Sequence, residues 1–189
     1  MAIDVKHVLV NAVLEYCENR SLESMTIKNI LDLTGMSRQT FYNHFIDKND
    51  LIQYIYNTVI VPDFNDNNRA MDFFNSLLVT FQNMKRYHQF MKQACMLEGQ
   101  NCLKDYIFEH CKEFDLKWHQ ELYGSTPMPE TLRFATIYHA SASSSMTLSW
   151  ILSDMPVPCE EIVSMIVNMR GIGMKELFQF GNCKENPYL

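Results

Sequence analysis

The chain has 189 residues, 47% of them hydrophobic and 20% charged, with a formal net charge of −6. That length and apolar content suit one large or two small domains with a real core, and exclude a disordered chain. The acidic balance argues against a nonspecific polyanion binder, and no apolar run reaches the length that crosses a bilayer.

Glycine and proline are scarce, six of each, and no stretch alternates with hairpin turn pairs. Apolar residues recur at helical spacing nearly throughout, which predicts an all-α protein. Val5, Val8, Leu9, Ala12, Val13 and Tyr16 form one face of a first helix, with Asp4 as its cap. Thr26 caps a second helix whose Ile27, Ile30 and Leu31 face inward. Gly35 stands where that helix must stop, because glycine takes a positive φ without steric cost. Ser37 caps a third helix, in which Phe41 and Phe45, four apart, share a buried face. Asp47 caps a fourth, which Leu51, Ile52, Ile55 and Val59 continue toward Pro62.

The segment "VPDFNDNN", Val61 to Asn68, clusters Pro, Asp and Asn and is the expected boundary. It divides a helix-turn-helix domain, 1–61 with the connecting fourth helix, from a larger helical domain, 62–189. In the second part, helices are expected from about Arg69 to Tyr87 and from about His88 to Leu122, the latter broken near Gly99. A loop follows from Tyr123 to Pro129. Two long helices then run over Glu130–Asp154 and from Cys159 to about Phe180.

The second and third helices, joined by "LTGM", have the form of a helix-turn-helix. In that motif one face of the second helix packs on its domain and the other enters a DNA major groove. Arg38, Gln39, Thr40 and Asn43 lie off the phenylalanine face and suit base edges: Arg for guanine, Gln or Asn for adenine, the Thr methyl for thymine. Tyr42, His44 and Lys48 suit phosphate oxygens, which set register without reading sequence. Lys48 also stands at the start of the fourth helix, where free N–H groups favour an anion.

The run "TIKNILDLTGMSRQTFYNHFIDKNDLI" resembles the N-terminal domain of TetR-family transcriptional regulators, which have Thr-Gly-hydrophobic-Ser, then Thr-Phe-Tyr-x-His-Phe, then Lys and a hydrophobic residue. The resemblance covers about the first third of the chain. It implies a recognition helix over Ser37 to His44, with Thr26, Lys28, Ser37, Arg38, Gln39, Thr40, Tyr42, His44 and Lys48 at DNA-contact positions. Many members carry Gly or Ala where this chain has Gln39, which bears on base preference and not on fold. It also implies a homodimer through the last two helices, a double-stranded DNA operator, and a small-molecule effector. "YHASASSSMTLSWILSDMPVPCEEIVSMI" looks like the C-terminal domain of the family branch that includes regulators of dihydroxyacetone kinase operons, which implies a protein co-regulator beside or instead of an effector.

Residues 1–61 hold five Lys or Arg and seven Asp or Glu, a net of −2. A DNA reader gains affinity from phosphate neutralisation, so the cations are expected on the groove side, with Glu15, Glu18 and Asp32 away from it. The same count motivates an alternative, a protein-interaction module that no longer binds operator DNA.

Ala and Ser in "HASASSSMTLSW", and the apolar Ile162, Val163, Met165, Ile166, Met169 and Ile172, are expected to form the dimer surface. Phe81, Met84, Tyr87, Met91, Tyr106 and Tyr138 are candidates for lining an effector pocket, against the plainer reading that Met and Phe fill the core. His88, Cys95 and Cys102 lie seven apart, about 10 Å along a helix, too far to hold one ion. No metal or cofactor is expected. The six cysteines show no CxxC spacing and read as free thiols of a cytoplasmic protein, and the N-terminus lacks signal-peptide features. No catalytic constellation stands out, and an enzyme is not expected.

Overall fold

A computed structural model describes residues 4–61, 73–124 and 126–179, with the side chain of Gln179 excepted. The described residues are helical and contain no strand. The helices are α1 (Val5–Asn19), α2 (Ile27–Thr34), α3 (Arg38–Tyr42), α4 (Lys48–Ile55), a π-helical segment (Tyr56–Ile60), α5 (Phe73–Arg86), α6 (His88–Met96), α7 (Leu103–Tyr123), α8 (Glu130–Leu152) and α9 (Cys159–Gln179).

Local chemistry sets the first four helix starts. Asp4, Thr26, Ser37 and Asp47 each accept a backbone N–H three residues on, at 3.1, 3.2, 3.0 and 2.8 Å. Each satisfies a donor that has no partner within its helix. At Thr26 the capping box is closed by Asn29, whose Oδ1 accepts the Thr26 N–H at 2.8 Å. Gly35 ends α2 at φ 67°, where a Cβ would meet its own carbonyl. Leu9, Val13, Ile30, Phe41, Phe45, Leu51 and Ile55 share one core.

That core continues into the rest of the chain. α1 packs on α6, α4 on α7, and α7 on α8 along the most extensive helix pair. α5 and α8 both pack on α9. The head is therefore not joined by one linker alone. Gly99, at φ 110°, lies in the α6–α7 connection, as its expected break. The Val61–Asn68 boundary, the start of α5 at Arg69 and the end of α9 at Phe180 fall outside the described residues, apart from Val61.

Three expectations are corrected. The fourth helix does not run to Val59 as regular α-helix; it widens into a π turn at Tyr56. There Tyr56 meets Tyr106 and His110 edge-on at 6.2 and 6.0 Å, and Asn57 Nδ2 donates to the Tyr106 hydroxyl. Contacts from α7 thus coincide with the change in pitch. The last helix breaks at Ile172 (ψ 120°) and Gly173 (φ 84°), a conformation that favours glycine. The helix expected to reach Asp154 ends at Leu152, and Asp154 and Met155 take left-handed conformations.

Candidate nucleic-acid interface

The α2–α3 pair presents most of the polar residues singled out above. Phe41 and Phe45 are buried, their rings 5.9 Å apart, and Phe45 meets Tyr54 of α4 edge-on at 5.3 Å. This burial fixes α3 by one side. Thr26, Lys28, Ser37, Arg38, Gln39, Tyr42, Asn43 and His44 are exposed, and Thr40 and Lys48 are half-buried. The regular helix covers only Arg38–Tyr42, but the Asn43 and Phe45 N–H groups still reach Gln39 and Phe41 carbonyls. The helical path therefore extends through His44.

The exposed groups differ in how far they are engaged. Gln39 Nε2 donates to Asn43 Oδ1 at 2.8 Å, holding two amides together as one unit. Ser37 and Thr40 hydroxyls pair at 2.8 Å. The Arg38 and His44 side chains form no hydrogen bond to the other described residues. A guanidinium with five unused donors is suited to bidentate recognition.

Lys48 departs from its expected position as an open phosphate donor. Its ammonium donates to the Leu22 carbonyl at 3.0 Å and ties the start of α4 to the α1–α2 loop. Burial lowers its pKa, against a raising effect of Glu23. Two of its three N–H donors remain. The acids are not all remote either. Asp47 and Asp50 bind backbone N–H groups around the α4 start, Asp50 accepting from Ile46 at 2.9 Å. Their charge faces the positive end of the α4 dipole.

A second surface lies on α8 and α9. Phe134, Tyr138, Met146 and Leu152 of α8 are exposed, as are Met165, Met169 and Ile172 of α9. Ser141, Ala142, Ser145 and Ser149 complete the α8 stripe at helical spacing. The six apolar α9 residues do not act as one face. Ile162, Val163 and Ile166 are buried in the core. Met165 and Met169, four apart, lie on an adjoining side that stays exposed, and Ile172 follows at the helix break.

The candidate pocket residues separate in the same way. Phe81, Met84 and Met91 are fully buried, with Tyr87 and Tyr106 packed half-buried against the same core. Phe81 lies 5.1 Å from the Trp150 ring. Tyr138 does not join them: it is 63% exposed on the α8 stripe, away from the Thr136 and Ala140 face that turns inward.

Beneath that stripe lies a buried polar cluster that motif reading missed. Arg170 Nη2 donates to Asp115 Oδ2, both residues almost wholly buried. Burial raises the Asp115 carboxyl, opposed by Arg170. His119 pairs with the Thr136 hydroxyl at 2.8 Å, and burial, aided by Arg170, pushes its pKa down to about 3. The residues are 55 and 17 apart, so no spacing rule exposes them. Among the described residues no group of three or more His, Cys, Asp or Glu is placed to hold a metal ion. Nor is any helix among them long and apolar enough to cross a membrane.

Comparison with known proteins agrees with this architecture. The HTH-type dhaKLM operon transcriptional activator DhaS of Lactococcus lactis subsp. lactis (strain IL1403) is 22% identical over 178 residues, 89% of each chain. A solved structure of a dihydroxyacetone kinase operon activator DhaS matches the fold with a TM-score of 0.68 at 18% identity, covering 93% of this chain and 98% of that one. A protein of Syntrophomonas wolfei str. Goettingen, described as a TetR-family transcriptional regulator, matches with a TM-score of 0.56 at 16% identity, covering 97% and 98%. Residues 72–170 match the TetR-type family described as "Transcriptional regulator C-terminal region". With more than half of its length matched in this way, the chain belongs to the TetR family of transcriptional regulators, whose members act on transcription and are not enzymes.

Proposed function

We propose that this regulator binds a near-palindromic DNA operator as a homodimer, with residues 1–61 as the reading head and 62–189 as the regulatory and dimerising part. The observation that carries the reading is α3: two buried phenylalanines hold one side while Arg38, Gln39, Tyr42, Asn43 and His44 stay exposed on the other. Arg38 and the Gln39–Asn43 amide pair supply base-edge donors and acceptors. Ser37, Thr40, Tyr42 and His44 flank them toward the phosphates, with Thr26, Lys28 and Lys48 at the rim. The exposed α8 and α9 stripes support pairing of two copies, because they gather large apolar side chains in water beside small residues that allow close helix approach. Two heads about 34 Å apart then meet successive major grooves.

Control by a small effector or a protein partner requires that it bind one arrangement of the heads better than the other. Moving a population from 1:99 to 99:1 takes about 5.5 kcal/mol of differential affinity. Such a regulator of chromosomal operators works in the cytoplasm.

Genome-wide DNA capture at low salt, followed by footprinting, tests the reading. Protection of an inverted repeat, lost in Arg38→Ala and Tyr42→Ala, is the expected result. The head's net charge of −2 and the internal bond of Lys48 favour a second reading, a protein-interaction head without operator affinity. Absence of any DNA preference, together with stoichiometric capture of a cellular protein by the same α3 face, would establish it instead.

A further inference from the structure

Away from α3 and the α8–α9 stripe, a cleft of about 290 Å³ is lined by Lys85, His88, Lys92, Ile151, Asp154 and Met155. Lys85, near the end of α5, and His88 and Lys92, four residues apart on α6, line one side of it together. α6 starts at His88, directly after the end of α5 at Arg86, so the cleft's positive charge comes from the lysine side chains. Ile151 and Met155 are buried and supply an apolar base.

The opposite wall is the α8–α9 loop. Asp154 and Met155 both have positive φ, 65° and 52°, a region that residues with side chains rarely occupy in succession. The Asp154 N–H donates to the Ile151 carbonyl at 3.2 Å, and further contacts hold the pair there. Lys85 Nζ donates to the Met155 carbonyl at 2.8 Å, Lys92 Nζ pairs with Asp154 Oδ1 at 2.5 Å, and the Met155 N–H donates to the Trp150 carbonyl at 2.8 Å. Among the described residues Asp154 is the one acid lining the cleft, and its side chain is 71% exposed. The loop thus supplies its own anion to a basic cleft, from a conformation it does not favour.

We propose that this cleft binds a small phosphorylated compound, whose phosphate displaces the Asp154 carboxylate from Lys92 while Lys85 and His88 provide further donors. A phosphate monoester carries about −1.5 to −2 charge at pH 7 and three acceptor oxygens, so it outcompetes a single carboxylate for clustered cations. Lys85 gives one N–H to Met155 and keeps two. None of these residues belongs to the DNA-reading face, so the inference goes beyond the proposed function and stands or falls separately.

Titration of the full chain with inorganic phosphate, followed by amide chemical shifts at constant ionic strength, tests it, with acetate as the comparison. Saturable phosphate binding in the low-millimolar range is expected, centred on Lys85, His88 and Lys92 and weakened severalfold in Lys92→Ala. Asp154→Asn should bind phosphate about two- to fivefold more tightly, because it removes a competing exposed ion pair. A gain in affinity cannot arise from misfolding, so this variant keeps the test sharp. Non-saturating shifts, equal binding by Lys92→Ala, no gain in Asp154→Asn, or acetate binding as well as phosphate would each overturn the proposal.

Discussion

The backbone N–H of Leu22 donates to Oε1 of Gln93 at 2.6 Å, across 71 residues of sequence. The same amide donates through Nε2 to the Cys17 carbonyl at 2.9 Å. Lys48 holds the Leu22 carbonyl from the other side. The α1–α2 loop is therefore gripped by α6 and α4 together, and α6 is directly fastened to the head.

Gln93→Ala should destabilise the fold by about 1–3 kcal/mol, because it leaves the N–H of fully buried Leu22 without its acceptor. Urea unfolding measures this. An unchanged midpoint would mean that solvent or a neighbouring group replaces the amide at no cost.

Arg38 and Lys48 should separate by function. Arg38→Ala removes an exposed side chain that forms no hydrogen bond to the other described residues, so stability should stay within about 0.5 kcal/mol. If it reads a base, discrimination at one operator position falls by about 1–3 kcal/mol. Lys48→Ala should weaken all operator variants alike and also lower stability, through the lost Leu22 bond. Gel-shift titrations over an operator panel, run beside melting curves, compare the two. Equal losses of base preference would show that these roles are wrongly assigned.

Met169→Asp should abolish the proposed dimer without unfolding the protomer, since Met169 is 62% exposed. Light scattering after size-exclusion chromatography should report the protomer mass, with an unchanged helical circular dichroism spectrum. Ile166→Asp is the contrasting case: it buries a charge in the core and should unfold the chain. A dimer that survives Met169→Asp would place the interface elsewhere.

His119 should make the fold acid-sensitive. Its folded pKa is about 3, against an ordinary 6.5, because burial disfavours the imidazolium. Between those values the unfolded state binds the extra proton, so stability falls as pH drops below 6.5, by at most roughly 1.4 kcal/mol per pH unit for one such group. Asp115, raised by burial, works in the opposite direction. The quantity to measure is therefore the difference between the parent chain and His119→Asn in unfolding free energy against pH. The variant should show the shallower decline, and parallel curves would refute the assignment.

Much of the head was readable from neighbours in the chain. Asp4, Thr26, Ser37 and Asp47 act as caps, and Gly35 takes a positive φ, because each depends on groups within one helical turn. Phe41 and Phe45 share a buried face because a four-residue step is nearly one turn. The all-helical class followed from the same periodicity. Tertiary structure alone decided which of two apolar sides of α9 enters the core, since Ile162 and Met165 look equally suitable as composition. It also decided that Lys48 binds a carbonyl, that Gln93 holds Leu22, and that Asp115 meets Arg170. Pairs 26, 71 and 55 residues apart leave no period in a sequence. They arise only when packing desolvates polar groups and forces each to find whichever partner the fold has brought near.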